Sequence, residues 1–382
     1  MISYGRQFID KEDIRAVTKA LNSRLITQGP YIKKFEKRIC KKLGYKFASV
    51  VSSGTAALHL IGLAMKWKQG DIILTTPISF LATSNSIIYS SAKPEFVDID
   101  KNFYTIDIVK LEKKIKFLKK KKKNIRAIVC TDYAGHPCDW PKLKKISKKY
   151  NLKLVNDNCH ALGAKINSDE RYTSKFSYCT SLSFHPLKHI TTGEGGAVLS
   201  NDKDFDKKIK LLRSHGMIKI KSDEIWKYEM RELGYNYRIS DFQCALGISQ
   251  LKKLNKFLKK RKEIARIYDN AFKNIGGITI PKTKKGYSHA YHLYPLRINF
   301  KQFKISKKKF FKIMKKKNFL LQVHYIPIHY QPYYKKNFKY KKNDFPISEN
   351  FYNEEVSLPI YFGLSKDNQR KVIKNIKKLL RL

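Results

Sequence analysis

Short apolar runs alternate with helix-patterned stretches through the first two-thirds of the chain. Runs at 48–51, 72–75, 94–97, 125–130, 152–155, 179–183 and 197–199 are predicted as strands. Between them, 56–67, 82–89, 108–117, 140–150 and 205–213 read as helices. Two further helices, 11–21 and 31–43, follow an N-terminal arm. Strands alternating with helices imply a mostly parallel sheet covered on both faces, an α/β architecture.

The pattern changes around Gly234-Tyr235-Asn236-Tyr237-Arg238. A long basic helix is predicted over 241–274, then strands at 291–298 and 320–324 and helices at 307–317 and 366–380. Residues 330–340, with clustered aromatics and a proline, read as a loop. The expected division is a large α/β domain with its arm over 1–245. A linking helix and a small α+β domain take 246–382.

At 382 residues the chain is long enough for one large core and a smaller second domain. Its 42% hydrophobic content, with 23 Tyr and 22 Phe, fits a folded protein rather than a disordered one. The net charge of +49 comes mostly from lysines spread along the whole sequence. Such a spread reads as coding bias on solvated faces, and no nucleic-acid-binding motif accompanies it, so no specific nucleic-acid partner is expected. Six scattered cysteines without a CxxC pair suit reduced thiols in a cytoplasmic enzyme, not a disulfide framework or a metal site. The N-terminus lacks an apolar signal core and no stretch reaches membrane-spanning length, so a soluble cytoplasmic protein with no membrane partner is expected.

Three motifs fall at strand ends, where parallel-sheet enzymes gather ligands. Ser52-Ser53-Gly54-Thr55-Ala56-Ala57 follows a strand and opens a helix. Small residues there allow close backbone approach, and free N–H groups at a helix start suit a phosphate. An ordinary capped turn has the same sequence. Asp157 ends an apolar strand ahead of His160-Ala161-Leu162-Gly163. A carboxylate there can pair with a protonated pyridine nitrogen, or it can cap the next turn. The third motif runs from Ser183 through Pro186, Lys188 and His189 to Gly193-Glu194-Gly195-Gly196. It sets one lysine where its amine can condense with an aldehyde cofactor; a lone lysine is otherwise a solvated side chain.

Taken in order, these segments resemble the DegT/DnrJ/StrS family of sugar-nucleotide aminotransferases. Thr27-Gln28-Gly29-Pro30, Arg213-Ser214-His215-Gly216-Met217, Gly234-Tyr235-Asn236-Tyr237-Arg238 and Val323-His324-Tyr325-Ile326-Pro327-Ile328-His329 extend the match from Tyr4 to the C-terminal region. The resemblance implies fold type I of the pyridoxal phosphate enzymes and pyridoxal 5′-phosphate as cofactor. Lys188 would carry the cofactor covalently and move the proton, and Asp157 would hold its ring nitrogen. Phe80 would stack on the ring, and His160 would touch it. Gly54, Thr55 and Ser183 would bind its phosphate. Asn236 would reach the cofactor phosphate of a neighbouring subunit, making the active unit a homodimer. Tyr4, Arg24, Thr27, His324, Tyr325 and His329 would line the sugar-nucleotide site.

Within the family the chain looks most like the branch serving pseudaminic acid biosynthesis. The residues carrying this are Leu25-Ile26-Thr27-Gln28-Gly29, Thr75-Thr76-Pro77-Ile78-Ser79-Phe80, Asp132-Tyr133-Ala134-Gly135 and Gln322-Val323-His324-Tyr325. This implies transfer of an amine from L-glutamate to the C4 ketone of a UDP-linked 4-keto-6-deoxy-N-acetylhexosamine. The alternatives are a sibling acting at C3, or at C4 of a dTDP- or GDP-sugar, and, remotely, a basic nucleic-acid-binding protein. A dehydratase branch of the same fold has histidine where Lys188 stands.

Overall fold

The computed structural model describes residues 1–221 and 223–382. Its centre is a seven-stranded sheet, with β1 (Phe47–Val51), β2 (Asp71–Thr75), β3 (Lys93–Phe96), β4 (Asn124–Thr131), β5 (Lys153–Asp157), β6 (Cys179–Ser183) and β7 (Gly196–Ser200). The spatial order is β1-β7-β6-β5-β4-β2-β3. Every pairing is parallel except those of β7, which runs against both β1 and β6. All seven predicted strands are therefore present. Helices cover both faces, and their apolar sides form a separate core on each.

Register decides what meets at the carboxyl ends. Thr131 stands beside Asp157, and Asp157 beside Ser181. Because β7 is reversed, its first residue, Gly196, lies between the last residues of β1 and β6, paired with Val51 and Ser183. A Cβ on Gly196 would sit 2.4 Å from the Ser53 carbonyl oxygen, and one on Gly54 would sit 2.8 Å from Ser183 Cβ. Glycine at both places lets two strand ends and a helix start close on one another.

The helix Asp241–Phe272 joins two cores. Leu254, Phe257 and Leu258 pack into the large one, whereas Ile264, Ala265, Tyr268 and Phe272 belong to the small one. The small core rests on an antiparallel sheet of Ile278–Thr279, Tyr294–Ile298 and Glu355–Leu358, flanked by Lys307–Lys316 and Lys366–Leu380. The sequence reading requires three corrections here. Residues 330–340 are not a loop: Pro332 opens a helix, Pro332–Phe338, and Tyr334 anchors it in the core. The strand expected at 320–324 shrinks to Phe319–Leu320, which pairs in parallel with Ile2–Ser3 of the arm. The helix Pro346–Glu354 and the strand Glu355–Leu358 were not predicted. No helix among the described residues is long and apolar enough to cross a membrane.

One buried carboxylate braces the strand ends. Asp132, fully buried just beyond β4, accepts from the Cys138 amide at 2.7 Å and Trp140 Nε1 at 2.9 Å. It also accepts from Asn156 Nδ2 at 3.1 Å, Asn158 Nδ2 at 2.9 Å and the Tyr172 hydroxyl at 2.7 Å. Burial pushes the Asp132 pKa up, and these donors oppose the shift by serving the ionised form. Asp132→Ala strands all five donors and is expected to cost about 3–5 kcal/mol. A clear fall in the thermal-unfolding midpoint, larger than that of Asp132→Asn, is the expected reading.

Candidate active site

A cavity of about 360 Å³ opens at the carboxyl ends of the central strands. Of the residues singled out in the sequence, it gathers Tyr4, Gly54, Thr55, Phe80, Asp157, His160, Ser183, Lys188, His324 and Tyr325. Six separate stretches of chain supply them. Gly54 and Thr55 start the helix Gly54–Ala64, where Ser53 caps by accepting from the Ala56 amide at 3.0 Å. The amides of Gly54 and Thr55 precede the helical ladder and have no acceptor among the described hydrogen bonds. With Ser183 Oγ beside them, they form a cradle for an anion.

Asp157 is held on both oxygens. The Thr83 hydroxyl donates to Oδ2 at 2.6 Å, Thr131 Oγ1 lies 3.5 Å from the same oxygen, and the Cys159 amide donates to Oδ1 at 3.3 Å. Lys188 lies in the interior near this carboxylate, and burial lowers its pKa. Its Nζ is 3.4 Å from His292 Nε2. Burial also depresses the pKa of His160 and of His292 well below the ordinary histidine range, so both rings are neutral at physiological pH. His160 Nε2 shares a hydrogen bond of 3.1 Å with the Tyr325 hydroxyl, while its buried Nδ1 has no partner among the described residues. The buried Arg261 guanidinium donates to the carbonyls of Tyr291, His292 and Ile360 at 3.0, 3.1 and 2.8 Å. It thereby pins the His292 segment and the small domain against the long helix.

Four predicted site residues lie outside the cavity. Arg24, Thr27 and Asn236 are exposed on this chain, with Thr27 bridged to Ser240 and Asn236 to Ser214. His329 is fully buried elsewhere, its Nε2 3.1 Å from Glu349 Oε1 and its ring against Phe345. It lies in the Ile328–Tyr330 turn and does not border the cavity in which the other expected sugar-site residues Tyr4, His324 and Tyr325 meet. The sequence reading missed Thr83, Thr131, Cys159 and His292, all of which line the cavity. Thr131 directly follows the strand predicted at 125–130, a signal that could have found it. His292 arrives from more than a hundred residues away with no motif. Among the described residues there is no cluster of three or more His, Cys, Asp or Glu able to hold a metal.

Pyridoxal 5′-phosphate fits this donor set. The unpaired amides and Ser183 hydroxyl suit its phosphate, Asp157 suits the protonated ring nitrogen, and Lys188 suits the aldehyde. Phe80 and His160 border the same space and can cover the ring.

Comparison with known proteins agrees. The profile of the DegT/DnrJ/EryC1/StrS aminotransferase family matches residues 7–377. An uncharacterized protein of Methanocaldococcus jannaschii is 42% identical over 98% of this chain and 96% of its own length. The UDP-4-amino-4,6-dideoxy-N-acetyl-beta-L-altrosamine transaminase of Campylobacter jejuni is 40% identical over 99% of both. Among solved structures, Helicobacter pylori PseC, an aminotransferase involved in the biosynthesis of pseudaminic acid, superposes with a TM-score of 0.90. It is 35% identical, with 100% of this chain and 99% of PseC covered.

A carboxylate at position 157 is able to supply the negative charge that keeps a ring nitrogen protonated, which an amide cannot do. Asp157→Asn is expected to retain cofactor but to lower kcat by about 10²–10³-fold. Cofactor content by absorbance and steady-state turnover, measured on the same preparation, check this.

Proposed function

We propose a substrate and a working assembly for this chain, which belongs to the DegT/DnrJ/EryC1/StrS aminotransferase family and is a pyridoxal 5′-phosphate-dependent sugar aminotransferase. The acceptor is the C4 ketone of a UDP-linked 4-keto-6-deoxy-N-acetylhexosamine, the donor is L-glutamate, and the product is a UDP-4-amino-4,6-dideoxy sugar that leads to pseudaminic acid. The observation that carries this reading is near-full-length similarity, at 40% identity, to a transaminase named for that product. A cytoplasmic location follows from the nucleotide-sugar substrate.

The cofactor, when bound, supplies an electron sink for the carbon that loses a proton. The chain's own groups do the rest. Lys188 Nζ, its pKa lowered by burial, has a larger neutral fraction than a surface lysine, so it can both attack an aldehyde and take up a proton. In the first half-reaction it removes the α-proton of the donor. In the second it delivers a proton to the sugar carbon that gains nitrogen. His292, neutral beside Nζ, can accept a hydrogen bond from it without adding a competing charge. Asp157 holds the ring nitrogen's proton, and Thr83 and Thr131 fix the carboxylate's orientation.

The working assembly is a homodimer with shared sites. Phe80, which borders the cavity, is 55% exposed on a single chain. Leu25, Ile26, Trp226 and Leu233 are also exposed, near Arg24, Thr27 and Asn236 in the sequence. A second copy covering this face would bring Asn236 to the partner's anion cradle.

Lys188→Ala is expected to lose the near-visible absorption of the lysine-bound cofactor and all turnover; retained transamination would sink the assignment. With the unmodified enzyme, glutamate and a panel of UDP-, dTDP- and GDP-linked keto sugars, amination is expected at C4 of the UDP sugar. Amination at C3, or a preference for another nucleotide, would establish the sibling activity instead. Sites shared between subunits make one further outcome specific. Inactive Lys188→Ala and Asn236→Asp subunits, refolded or exchanged together, are expected to regain part of the activity, because one site of each hybrid is intact.

A further inference from the structure

Behind His324 lies a chain of polar groups that the transamination chemistry does not use. His324 borders the cavity, with its ring 4.8 Å from that of Tyr4. Its Nδ1 points away from the cavity to Ser357 Oγ at 2.8 Å, and Ser357 Oγ is 2.5 Å from Glu355 Oε1. Glu355 Oε2 accepts from the His324 amide at 2.9 Å. Glu355 and Ser357 are fully buried on the strand Glu355–Leu358. His324 Nε2 makes no hydrogen bond among the described residues.

We propose that Glu355 and Ser357 are positioning residues that fix which nitrogen of His324 carries the proton, setting Nε2 as an acceptor for an O–H or N–H group of the sugar. The Ser357 hydroxyl has one proton. When Glu355 is ionised, that proton goes to Glu355, so Ser357 Oγ can only accept from the ring and His324 carries its proton on Nδ1. Nε2 then presents a lone pair to the cavity. When Glu355 gains a proton, the chain reverses: Glu355 donates to Ser357, Ser357 donates to Nδ1, and the ring proton moves to Nε2. One added proton therefore inverts the hydrogen bond His324 offers to substrate, with the ring neutral in both states.

The surroundings place this inversion near neutral pH. Burial pushes the Glu355 pKa up to about 7, with Lys307 and the Ser357 and His324 donors working against it. Lys307 is itself pushed down to about 8 by burial, and its Nζ donates to the Tyr352 carbonyl. The other charged neighbour, Arg297, sits opposite Glu355 across the sheet and is engaged by Glu354 at 2.6 and 2.9 Å. Tyr104, Tyr133 and Tyr325 face the same carboxylate, and burial keeps all three phenols neutral. Burial pushes the pKa of His324 down to about 3, so protonation of the ring does not compete with the exchange.

This inference rests on the sugar nucleotide occupying the cavity, and the holoenzyme tests it. The wild-type KM for the keto sugar is expected to rise as pH falls through about 7, while the glutamate half-reaction, followed by cofactor absorbance without sugar, does not share that profile. In Glu355→Gln the amide oxygen takes the His324 N–H and the amide nitrogen donates to Ser357. Nε2 is then held as a donor at every pH, so KM at pH 8 is expected to rise about tenfold and its pH dependence to vanish. Ser357→Ala breaks the chain and is expected to raise KM more than it lowers kcat; Ser357→Thr restores the hydroxyl and the wild-type profile. An unchanged KM and pH profile in Glu355→Gln and Ser357→Ala overturns the inference, as does an equal fall of both half-reactions with loss of thermal stability. Failure of the wild type to turn over any keto sugar would instead overturn the substrate reading.

Discussion

The site depends on a buried carboxylate that takes no part in the chemistry. Asp132 satisfies five donors from four segments: the turn after β4, the helix Trp140–Tyr150, the end of β5 and Tyr172. Asn156 and Asn158, two of those donors, flank Asp157 in the chain. Fixing both neighbours fixes the backbone between them, and so the direction in which Asp157 faces. A buried ion would be costly if left unpaired, which makes this network intolerant of partial assembly. The same constraint sets the floor beneath the cavity and keeps β4 and β5 in register where it matters.

Desolvation then divides the labour among groups of similar chemistry. His160, His292 and His324 all border the cavity, and burial keeps each neutral. Lys188 keeps its amine near the Asp157 charge with a lowered affinity for protons. Adding another charged histidine would depress that amine further and repel it from its working position. Burial thus surrounds Lys188 with neutral rings, so no imidazolium competes with its amine near Asp157. The lysines that dominate the composition are mostly on the surface and do not enter this balance.

How much of this the sequence revealed follows from where the forces are local. The seven central strands are largely buried, and their apolar residues stand out as short runs. The glycines and Ser53 marked the anion cradle because a helix start has a local grammar of caps and small residues. Glu355–Leu358 escaped notice because half of its residues, Glu355 and Ser357, are polar yet buried. That arrangement is stable only with partners more than thirty positions away. Pro332 reads as a loop marker in sequence, although proline in the first turn of a helix is equally at home. His329 shares a motif with His324, but the four residues between them carry the chain from a cavity wall to a core contact. Thr83 and His292 gave no sign at all, since their roles exist only once distant segments meet.

The two halves of the chain therefore divide the reaction unevenly. The large domain supplies Lys188, Asp157 and the anion cradle, which in the proposed function serve any amino transfer through the same cofactor. The wall opposite is built from Tyr4, His324 and Tyr325, contributed by the arm and the small domain. The arm is sewn to that domain by Ile2–Ser3 pairing with Phe319–Leu320 and by the Ile360 amide donating to the Tyr4 carbonyl at 3.0 Å. Arg261 ties the same domain to the long helix and to the segment bearing His292. A change of sugar specificity can then proceed by altering the arm and small domain while the amine, the ring-nitrogen partner and the anion cradle stay fixed. The separation is physical as well as topological. The cofactor side is set by backbone amides and one braced carboxylate, which tolerate little movement. The wall of Tyr4, His324 and Tyr325 presents aromatic rings and, in the proposal made above, a hydrogen-bond direction that a single proton on Glu355 reverses.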